Sequence, residues 1–228
     1  PITGDLTRGN SGVKPAEMSN FDIRAEWFSG DGDNFTFTVF NKDIDLPIEF
    51  FESAASDTTI AREIINANSA KVSGIEIEAL KTLGFLGAAF DSYFVRTNIT
   101  LQDSELIAGP RADAPTNQIR RMSGASDEVV NLMLGYDSPD ALHSVSLIYN
   151  MVGDRLYVAG RNGAPDAFEK PYDSLDLTYS WYPTDKVTVK LKAKNLLDES
   201  IRIDRNNVRV FTEDIGQSYS LSVMWTPR

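Results

Sequence analysis

The chain has 228 residues, of which 24% are charged, and 33 acidic residues against 22 basic ones give a net charge of −11. This acidity argues against nucleic-acid binding, which needs clustered lysine and arginine side chains to contact phosphates. The chain contains no cysteine, which excludes disulfides and thiolate metal sites, and no segment approaches the roughly 18 apolar residues of a membrane helix.

Apolar and polar residues alternate along most of the chain, which is typical of β-strands whose two faces meet different surroundings. Nine strands are predicted, in chain order, near residues 18–28, 34–43, 71–80, 88–101, 128–136, 143–151, 174–182, 187–195 and 215–226. The clearest pair is 174–182 with 187–195, which a tight-turn sequence joins into a hairpin. Isoleucines at helical spacing predict one short loop helix over 57–66.

The connections between these strands alternate strictly in length. Those at 29–33, 81–87, 137–142 and 183–186 are short, whereas those near 44–70, 102–127, 152–173 and 196–214 are long. A soluble sandwich has no reason to keep this order, because the loops at both of its ends face the same solvent. A barrel of the bacterial outer membrane keeps it, with short turns on the periplasmic side and long loops outside. We therefore predict an all-β fold, an antiparallel meander of about nine strands that forms part of a large transmembrane β-barrel.

Large aromatic residues recur near one end of the predicted strands. If the short turns are periplasmic, Trp27, Tyr136, Trp181 and Trp225 lie near the lower ends of four of the five downward strands, on the apolar face. Aromatic side chains are enriched at membrane interfaces, because the ring and the polar tip each find a suitable solvent there. These residues are therefore predicted to form a membrane-interface girdle. The third strand, 71–80, is the exception.

The opposite faces of the strands are polar. Glu76 and Glu78 lie on one strand, polar residues alternate over 96–102 on a second, and three lysines occupy 190–194 on a third. Several charges on each strand are too costly for a dry interior but are tolerated in a hydrated lumen. The alternative is the solvated outer face of a soluble antiparallel sheet.

Five segments, in this order, resemble elements of TonB-dependent outer-membrane receptors. They are Leu6-Thr7-Arg8-Gly9-Asn10 with Val13-Lys14-Pro15-Ala16-Glu17 ("GNP-x-LKPE"), Phe40-Asn41-Lys42-Asp43-Ile44 ("F-x-K-D-I"), Ser73-Gly74-Ile75-Glu76-Ile77-Glu78 ("GxExE"), Asn195-Leu196-Leu197-Asp198-Glu199 ("NLxDE") and the ending from Gly216 to Trp225 ("G-x-x-Y-x-L-x-x-x-W"). The resemblance implies a protein of the Gram-negative outer membrane whose full chain forms a barrel of about twenty-two strands around an N-terminal plug. Residues 1–228 are then expected to be the C-terminal part of that barrel, without the plug and the N-terminal strands.

The function that this resemblance implies is capture of a scarce nutrient and its passage across the outer membrane. A ferric chelate, a carbohydrate and a cobalamin-like cofactor are all open as the cargo. The implied partners are outer-membrane lipid, a TonB-type energy-coupling protein that acts on the plug, and a small-molecule or oligosaccharide ligand, with no nucleic acid. The rival hypothesis is a soluble, secreted all-β module that binds sugars and has a closed two-sheet core.

The sequence offers little for covalent chemistry, so we predict no enzyme, no cofactor and no metal site. His143 is the single histidine, and no G-x-S-x-G surrounds any serine, which leaves a Ser-His-Asp triad with one possible base. The acidic segment 29–34 resembles a calcium-binding loop in composition but lacks the ligand spacing of an EF-hand. We interpret it as a tight hairpin with glycines at positive φ.

Ligand recognition is predicted in the long loops, because loops on a rigid scaffold carry function. Loop 152–173 mixes residues able to stack on and hydrogen-bond a polar ligand, and the basic loop 196–214 suits an anionic or hydroxyl-rich ligand. The candidate ligand-binding residues are Arg155, Tyr157, Arg161, Asn162, Phe168, Arg202, Arg205, Asn206 and Arg209. Contacts with lipopolysaccharide or with neighbouring loops are the alternative for these side chains.

Overall fold

A computed structural model of the chain describes residues 6–30, 32–54 and 60–227. The strands are β1 Leu6–Arg8, β2 Glu17–Phe28, β3 Asn34–Asp45, β4 Ile48–Ala54, β5 Ile60–Asn66, β6 Ser69–Thr82, β7 Tyr93–Ile107, β8 Ile119–Arg120, β9 Glu128–Asp137, β10 His143–Val152, β11 Arg155–Val158, β12 Ala167–Glu169, β13 Tyr172–Thr184, β14 Val187–Lys194, β15 Ile201–Arg205, β16 Val208–Glu213 and β17 Ser218–Trp225. Two short 3-10 helices, Gly84–Leu86 and Ala88–Phe90, lie between β6 and β7. Within the described ranges, no helix has the length and apolarity needed to cross a membrane.

The nine longest strands of the meander form one antiparallel sheet. Its order is β2-β3-β6-β7-β9-β10-β13-β14-β17, with the short β8 paired to the end of β7. Each strand therefore pairs with the next long strand along the chain, and β2 and β17 form the two edges of the sheet. The predicted antiparallel meander of about nine strands is confirmed.

The loop helix predicted over 57–66 is wrong, because Ile60–Asn66 is strand β5; residues 57–59 lie outside the described ranges. β5 pairs antiparallel with β4 and parallel with β1. Over so short a stretch the isoleucine spacing fits either period, and β-branched side chains favour a strand. The two partner strands supply the hydrogen bonds that decide between the two structures.

Short and long connections alternate as predicted. The short ones are 29–33, 83–92, 138–142 and 185–186, and the long ones are 46–68, 108–127, 153–171 and 195–217. Because neighbouring strands are antiparallel, all short connections lie at one end of the sheet and all long ones at the other. The second short connection is longer than the predicted 81–87, since the two 3-10 helices occupy it and β7 begins at Tyr93 rather than near residue 88.

One face of the sheet, here called the apolar face, carries the large hydrophobic side chains of all nine strands. The register places Trp27 opposite Phe35, and residues directly opposite share a face. Leu177 and Trp181 on this face are 37% and 41% exposed, and Val223 on the edge strand is 65% exposed. No buried hydrophobic residue of the described chain belongs to this face. The arrangement is the opposite of the closed two-sheet core expected for a soluble binding module.

The predicted girdle residues lie on the apolar face at the end that carries the short turns. Trp27 contacts Phe35 with ring centroids 5.6 Å apart, and Tyr136 contacts Tyr93 at 4.8 Å. Trp181 and Trp225 come from β13 and β17. Their position at a membrane interface stays a prediction.

The opposite face, here called the polar face, is held by contacts between neighbouring strands. Arg24 on β2 contacts Glu26 at 2.5 Å and Glu78 of β6 at 3.3 Å. The amide of Asn131 on β9 donates a hydrogen bond of 3.5 Å to Asn98 on β7. Arg24, Glu26 and Glu78 all keep at least 39% of their side-chain surface exposed, so these charged groups of the polar face are open to solvent.

The turn between β2 and β3 depends on Asp33, whose carboxylate is almost fully buried. Lys81 pairs with one oxygen, and the Thr82 amide and hydroxyl donate to the other at 2.7 and 2.9 Å. These donors, of which Lys81 has the largest effect, lower the pKa of Asp33 from 3.8 to about 2. Gly32 has a φ of 79°, and protein donors occupy both oxygens of Asp33, which supports the hairpin interpretation of 29–34. Asp31 lies outside the described residues.

The buried core lies at the end of the sheet that carries the long connections. Ile44, Ala70 and Leu106 come from the ends of β3, β6 and β7, and they pack with Phe51 of β4 and Ile65 of β5. This cluster fixes β4 and β5 to the large sheet, so these two strands of the first long connection are part of the folded core.

Gly74 lies on β6 at a position where the neighbouring strands leave no room for a side chain. A Cβ at this position would lie 2.4 Å from the carbonyl oxygen of Leu101 and 2.6 Å from the ring of Phe40. Gly74→Ala therefore forces β6 and β7 to shift, because a backbone carbonyl cannot rotate away. We expect a loss of about 1–3 kcal/mol in the free energy of unfolding, measured by urea titration of the intact protein in detergent micelles. Gly30→Ala is the matched control, since nothing lies within 4 Å of its Cβ, and an equal loss in both variants would contradict the account.

Candidate functional site

The described parts of the four long connections fold together into a loop layer, defined as residues 46–54, 60–68, 108–127, 153–171 and 195–217. Strands β4 and β5 of this layer form one sheet with β1, and β11, β12, β15 and β16 form a second sheet. Isolated bridges join the connection 108–127 to the third long connection, at Pro115↔Arg161, Ser123↔Leu156 and Ser126↔Arg155. The loops therefore support one another through backbone pairing.

A buried ion pair holds the connection 108–127 onto β4. Arg120 donates from Nη2 to Glu49 Oε2 at 2.8 Å, and the two side chains are 2% and 5% exposed. Glu49 also accepts hydrogen bonds from the Ser123 amide at 2.9 Å and its hydroxyl at 3.0 Å. The guanidinium of Arg120 lies 4.8 Å from the ring centroid of Phe51. Sequence analysis missed this network, because Glu49 and Arg120 are 71 residues apart.

Asn195 anchors the start of the fourth long connection. Its contacts explain why an asparagine begins the Asn195–Glu199 segment. It has a φ of 52°, a conformation that asparagine tolerates better than most residues. Its side-chain amide donates to the carbonyls of Glu199 at 3.0 Å and Gly216 at 3.1 Å, and its oxygen accepts from the Glu199 amide at 3.0 Å. One buried side chain therefore fixes both ends of this connection.

Four of the five predicted ligand-binding arginines form ion pairs within the loop layer. Arg155 pairs with Glu169 at 2.6 Å, Arg161 with Asp113 at 2.6 Å, Arg205 with Glu52 at 3.5 Å, and Arg202 with Glu199. The amide of Ala54 and the guanidinium of Arg161 lower the pKa of Asp113. Two of these pairs, Arg161–Asp113 and Arg205–Glu52, join different connections, as in the alternative of contacts between neighbouring loops. Ligand binding by the arginines stays a prediction.

The other candidate residues are more widely placed. Tyr157 lies 5.0 Å from the guanidinium of Arg62, and Asn162 occupies an exposed turn with a φ of 52°. Arg209 is exposed and lies opposite Asp204 in the β15–β16 pair. Of the nine predicted residues, Tyr157 and Arg205 line one cavity, and Phe168 and Asn206 line another.

This cavity, here called the polar cavity, has a volume of about 470 Å³ and opens between the second, third and fourth long connections. Its lining residues are Thr116, Asn117, Asp154, Gly163, Pro165, Asp166, Phe168, Lys170, Asp204, Asn206 and Asn207. Most of these side chains carry hydroxyl, amide or carboxylate groups, and Phe168 supplies the one aromatic ring. The cavity therefore offers many hydrogen-bonding groups and a single aromatic ring.

The carboxylates of the polar cavity differ in how many protein donors they contact. Asp166 accepts hydrogen bonds from the Gly160 amide at 2.6 Å and from Asn117 at 2.9 Å. Asp154 lies 3.6 Å from Arg121. Asp204 has one oxygen, Oδ1, that is buried without a hydrogen-bond partner in the described structure.

The sequence alone does not single out Thr116, Asn117 or Asp204. The connection 108–127 contains no aromatic residue, and Asp204 belongs to strand β15, in a segment that the sequence predicts as a loop. The Asn206-Asn207 pair was a visible signal, since two asparagines at positive φ, here 50° and 60°, form the hairpin turn between β15 and β16.

The histidine and the acidic residues of the described chain form no arrangement typical of a metal site. His143 begins β10, as predicted from its turn-to-strand position, and its Nδ1 lies 2.8 Å from the Tyr179 hydroxyl. The described part of the chain contains no group of three or more histidine, aspartate or glutamate side chains arranged to hold a metal ion.

A family model described as "TonB dependent receptor-like, beta-barrel" matches residues 1–196 of the chain. The chain belongs to this family. Membership places this TonB-dependent receptor barrel in the outer membrane of Gram-negative bacteria, and the proteins of the family are receptors and transporters rather than enzymes. No curated protein shows a significant sequence match to it.

Solved structures of receptors share the fold of this receptor barrel. The FrpB iron transporter from Neisseria meningitidis is 14% identical with a TM-score of 0.65, and the match covers 97% of this chain and 32% of that one. The ferric-catecholate import receptor Fiu from E. coli K12 is 19% identical with a TM-score of 0.64, over 96% and 30% of the two chains. The siderophore receptor PirA from Acinetobacter baumannii is 16% identical with a TM-score of 0.65, over 96% and 33%.

At these identities the likeness shows the fold alone. The chain spans 30–33% of the length of these structures. Its open sheet corresponds to part of a receptor barrel, as the alternation of faces and connections predicts.

The buried pair Glu49–Arg120 gives a test of how the loop layer is held. Arg120→Ala leaves Glu49 buried without its counter-ion, which costs about 3–5 kcal/mol for pairs of this kind. We expect faster amide hydrogen exchange in 48–54 and 119–126, measured by mass spectrometry on the intact receptor in detergent. Arg209→Ala removes an exposed arginine from the same layer and is expected to leave these rates unchanged.

The double variant Glu49→Gln/Arg120→Met removes both charges and is expected to recover part of the lost protection. Unchanged exchange in Arg120→Ala would show that the ion pair does not hold the layer.

Proposed function

We propose that the intact protein is an outer-membrane receptor that captures a scarce small-molecule nutrient on its loop layer and passes it across the membrane with energy from a TonB-type coupling protein. The observation that carries this proposal is the family match over residues 1–196. The apolar face meets outer-membrane lipid, and Trp27, Tyr136, Trp181 and Trp225 form the girdle at its periplasmic edge.

The loop layer lies on the extracellular side in this proposal, because long connections of outer-membrane barrels face outward. The polar cavity opens within that layer and lies where an external ligand arrives. The polar face lines the interior of the complete barrel, where its charged side chains remain hydrated. The ligand therefore meets the loop layer first and then moves inward along the polar face.

The first ligand class is a ferric chelate. Its support is that receptors of the same fold are described as an iron transporter, a ferric-catecholate import receptor and a siderophore receptor. The exposed Arg209 and the cavity residue Lys170 are the cations of the loop layer best placed to meet an anionic chelate.

A second ligand class, a neutral hydroxyl-rich oligosaccharide, is favoured by the lining of the polar cavity. Three carboxylates, Asp154, Asp166 and Asp204, face a single lysine, Lys170. Carboxylates repel an anionic chelate but accept hydrogen bonds from sugar hydroxyls. Phe168 offers a ring on which a sugar stacks.

Asp204→Asn distinguishes the two classes. If the ligand is an oligosaccharide that donates hydroxyls to Asp204, the variant loses a charge-assisted hydrogen bond and Kd rises by about tenfold. If the ligand is an anionic ferric chelate, removal of the negative charge leaves Kd unchanged or lowers it. Both are measured by isothermal titration calorimetry of the intact receptor with a panel of ferric siderophores and oligosaccharides.

The matched control is Asp198→Asn, because Asp198 is exposed outside the polar cavity and its φ of 55° is tolerated by asparagine. It is expected to change no affinity. Absence of binding to every member of both ligand classes would contradict the proposed cargo.

Energy coupling is tested by comparing binding with uptake in living cells. We expect uptake of the radiolabelled ligand from the binding assay to stop when a protonophore collapses the inner-membrane gradient or the coupling protein is deleted. Surface binding of the same ligand should persist, because capture needs only the loop layer. Uptake that continues without the coupling protein would show passive diffusion through the barrel instead.

A further inference from the structure

The connection between β6 and β7 contains an exposed apolar segment, here called the apolar turn and defined as residues 83–90. Phe85, Leu86 and Phe90 are 67%, 56% and 43% exposed. The other short turns carry polar side chains at comparable positions, such as Ser138, Asp140 and Asp185. The apolar turn thus differs in chemistry from the other turns at the same end of the sheet.

Hydrogen bonds fix the backbone of the apolar turn. The amides of Leu86, Gly87 and Phe90 donate to carbonyls three residues earlier at 3.0, 2.9 and 2.8 Å. The Leu83 amide donates to the Tyr93 carbonyl at 2.9 Å and closes the base of the turn. Gly87 has a φ of 127°, which side chains with a Cβ rarely adopt. The turn is therefore an ordered structure that presents its large apolar side chains to the surroundings.

The side chains of the apolar turn continue the apolar face of the sheet. The ring of Phe90 contacts Tyr93 with centroids 6.1 Å apart, and Tyr93 contacts Tyr136 of the girdle at 4.8 Å. The ring of Phe85 lies 5.2 Å from the ammonium of Lys81. Lys81 lies opposite Val95, two residues beyond Ala79, which in turn lies opposite Phe35 on the same face. Both phenylalanines are thus joined to the membrane-facing side of the barrel.

The position of the turn also fills the gap in the predicted girdle. β6 has no aromatic residue near its lower end, where Ala79 and Leu80 precede the turn. The apolar turn follows directly below and supplies Phe85 and Phe90 at that point of the circumference. Large apolar and aromatic side chains at this level are stabilised in the interfacial region of a membrane.

We propose that the apolar turn is an interfacial anchor that inserts Phe85, Leu86 and Phe90 into the phospholipid headgroup region of the periplasmic leaflet. Polar short turns remain in the periplasm, whereas this one turns outward and embeds. The inference rests on the barrel fold and is independent of which nutrient the receptor transports.

Site-directed spin labelling tests the anchor in the intact receptor, reconstituted into phosphatidylethanolamine–phosphatidylglycerol vesicles. This chain has no cysteine, so Phe85→Cys or Phe90→Cys gives a unique label once any cysteine elsewhere in the receptor is replaced by serine. Collision rates of the label are measured with oxygen, which concentrates in lipid, and with a water-soluble nickel chelate. Leu132→Cys on the apolar face is the lipid reference, and Pro139→Cys in the exposed 138–142 turn is the aqueous reference.

We expect the labels at 85 and 90 to collide more often with oxygen than with the nickel chelate, with a ratio between those of the two references. Collision with the chelate at the rate found at position 139 would overturn the proposal, because the turn would then lie in water. Labels that are immobilised and shielded from both reagents would also overturn it, since the turn would then pack against protein.

Discussion

The structure depends on one constraint, which is that the sheet places its large apolar side chains on a face that no other layer of the described chain covers. In water this would expose Leu177, Trp181 and Val223 together with their neighbours on nine strands. In a bilayer the same face is satisfied, because hydrocarbon surrounds it and each strand between the two edges pairs with a neighbour on both sides. A barrel that spans a membrane needs an apolar outer surface, and the exposed apolar face of this sheet meets that need.

The two ends of the sheet have different structures because their connections differ in length. At the end with long connections, polar loops need internal support, and they receive it from the buried cluster around Leu106 and from the Glu49–Arg120 pair. At the other end the turns are short and need little support, and one of them displays apolar side chains beside the girdle. The rigid sheet between them keeps the two ends at a fixed separation.

Ion pairs with acidic residues occupy four of the five arginines that the sequence predicts to bind a ligand. Arg155, Arg161 and Arg205 each contact a carboxylate from another strand or loop. These contacts use most of the positive charge that a ligand would meet, and they leave a cavity whose lining is acidic and amide-rich. The chemistry of the site is thus set by which charges remain after the loops have paired with one another.

The sequence by itself determined the strands of the large sheet, their faces and the alternation of short and long connections, because these follow from local periodicity and segment length. Only the tertiary structure decided that Ile60–Asn66 is a strand, that Glu49 meets Arg120, and that Asp204 reaches a cavity shared with Asn117. Each of these depends on partners far away along the chain. A local pattern carries no information about such partners, since folding and not sequence distance brings them together.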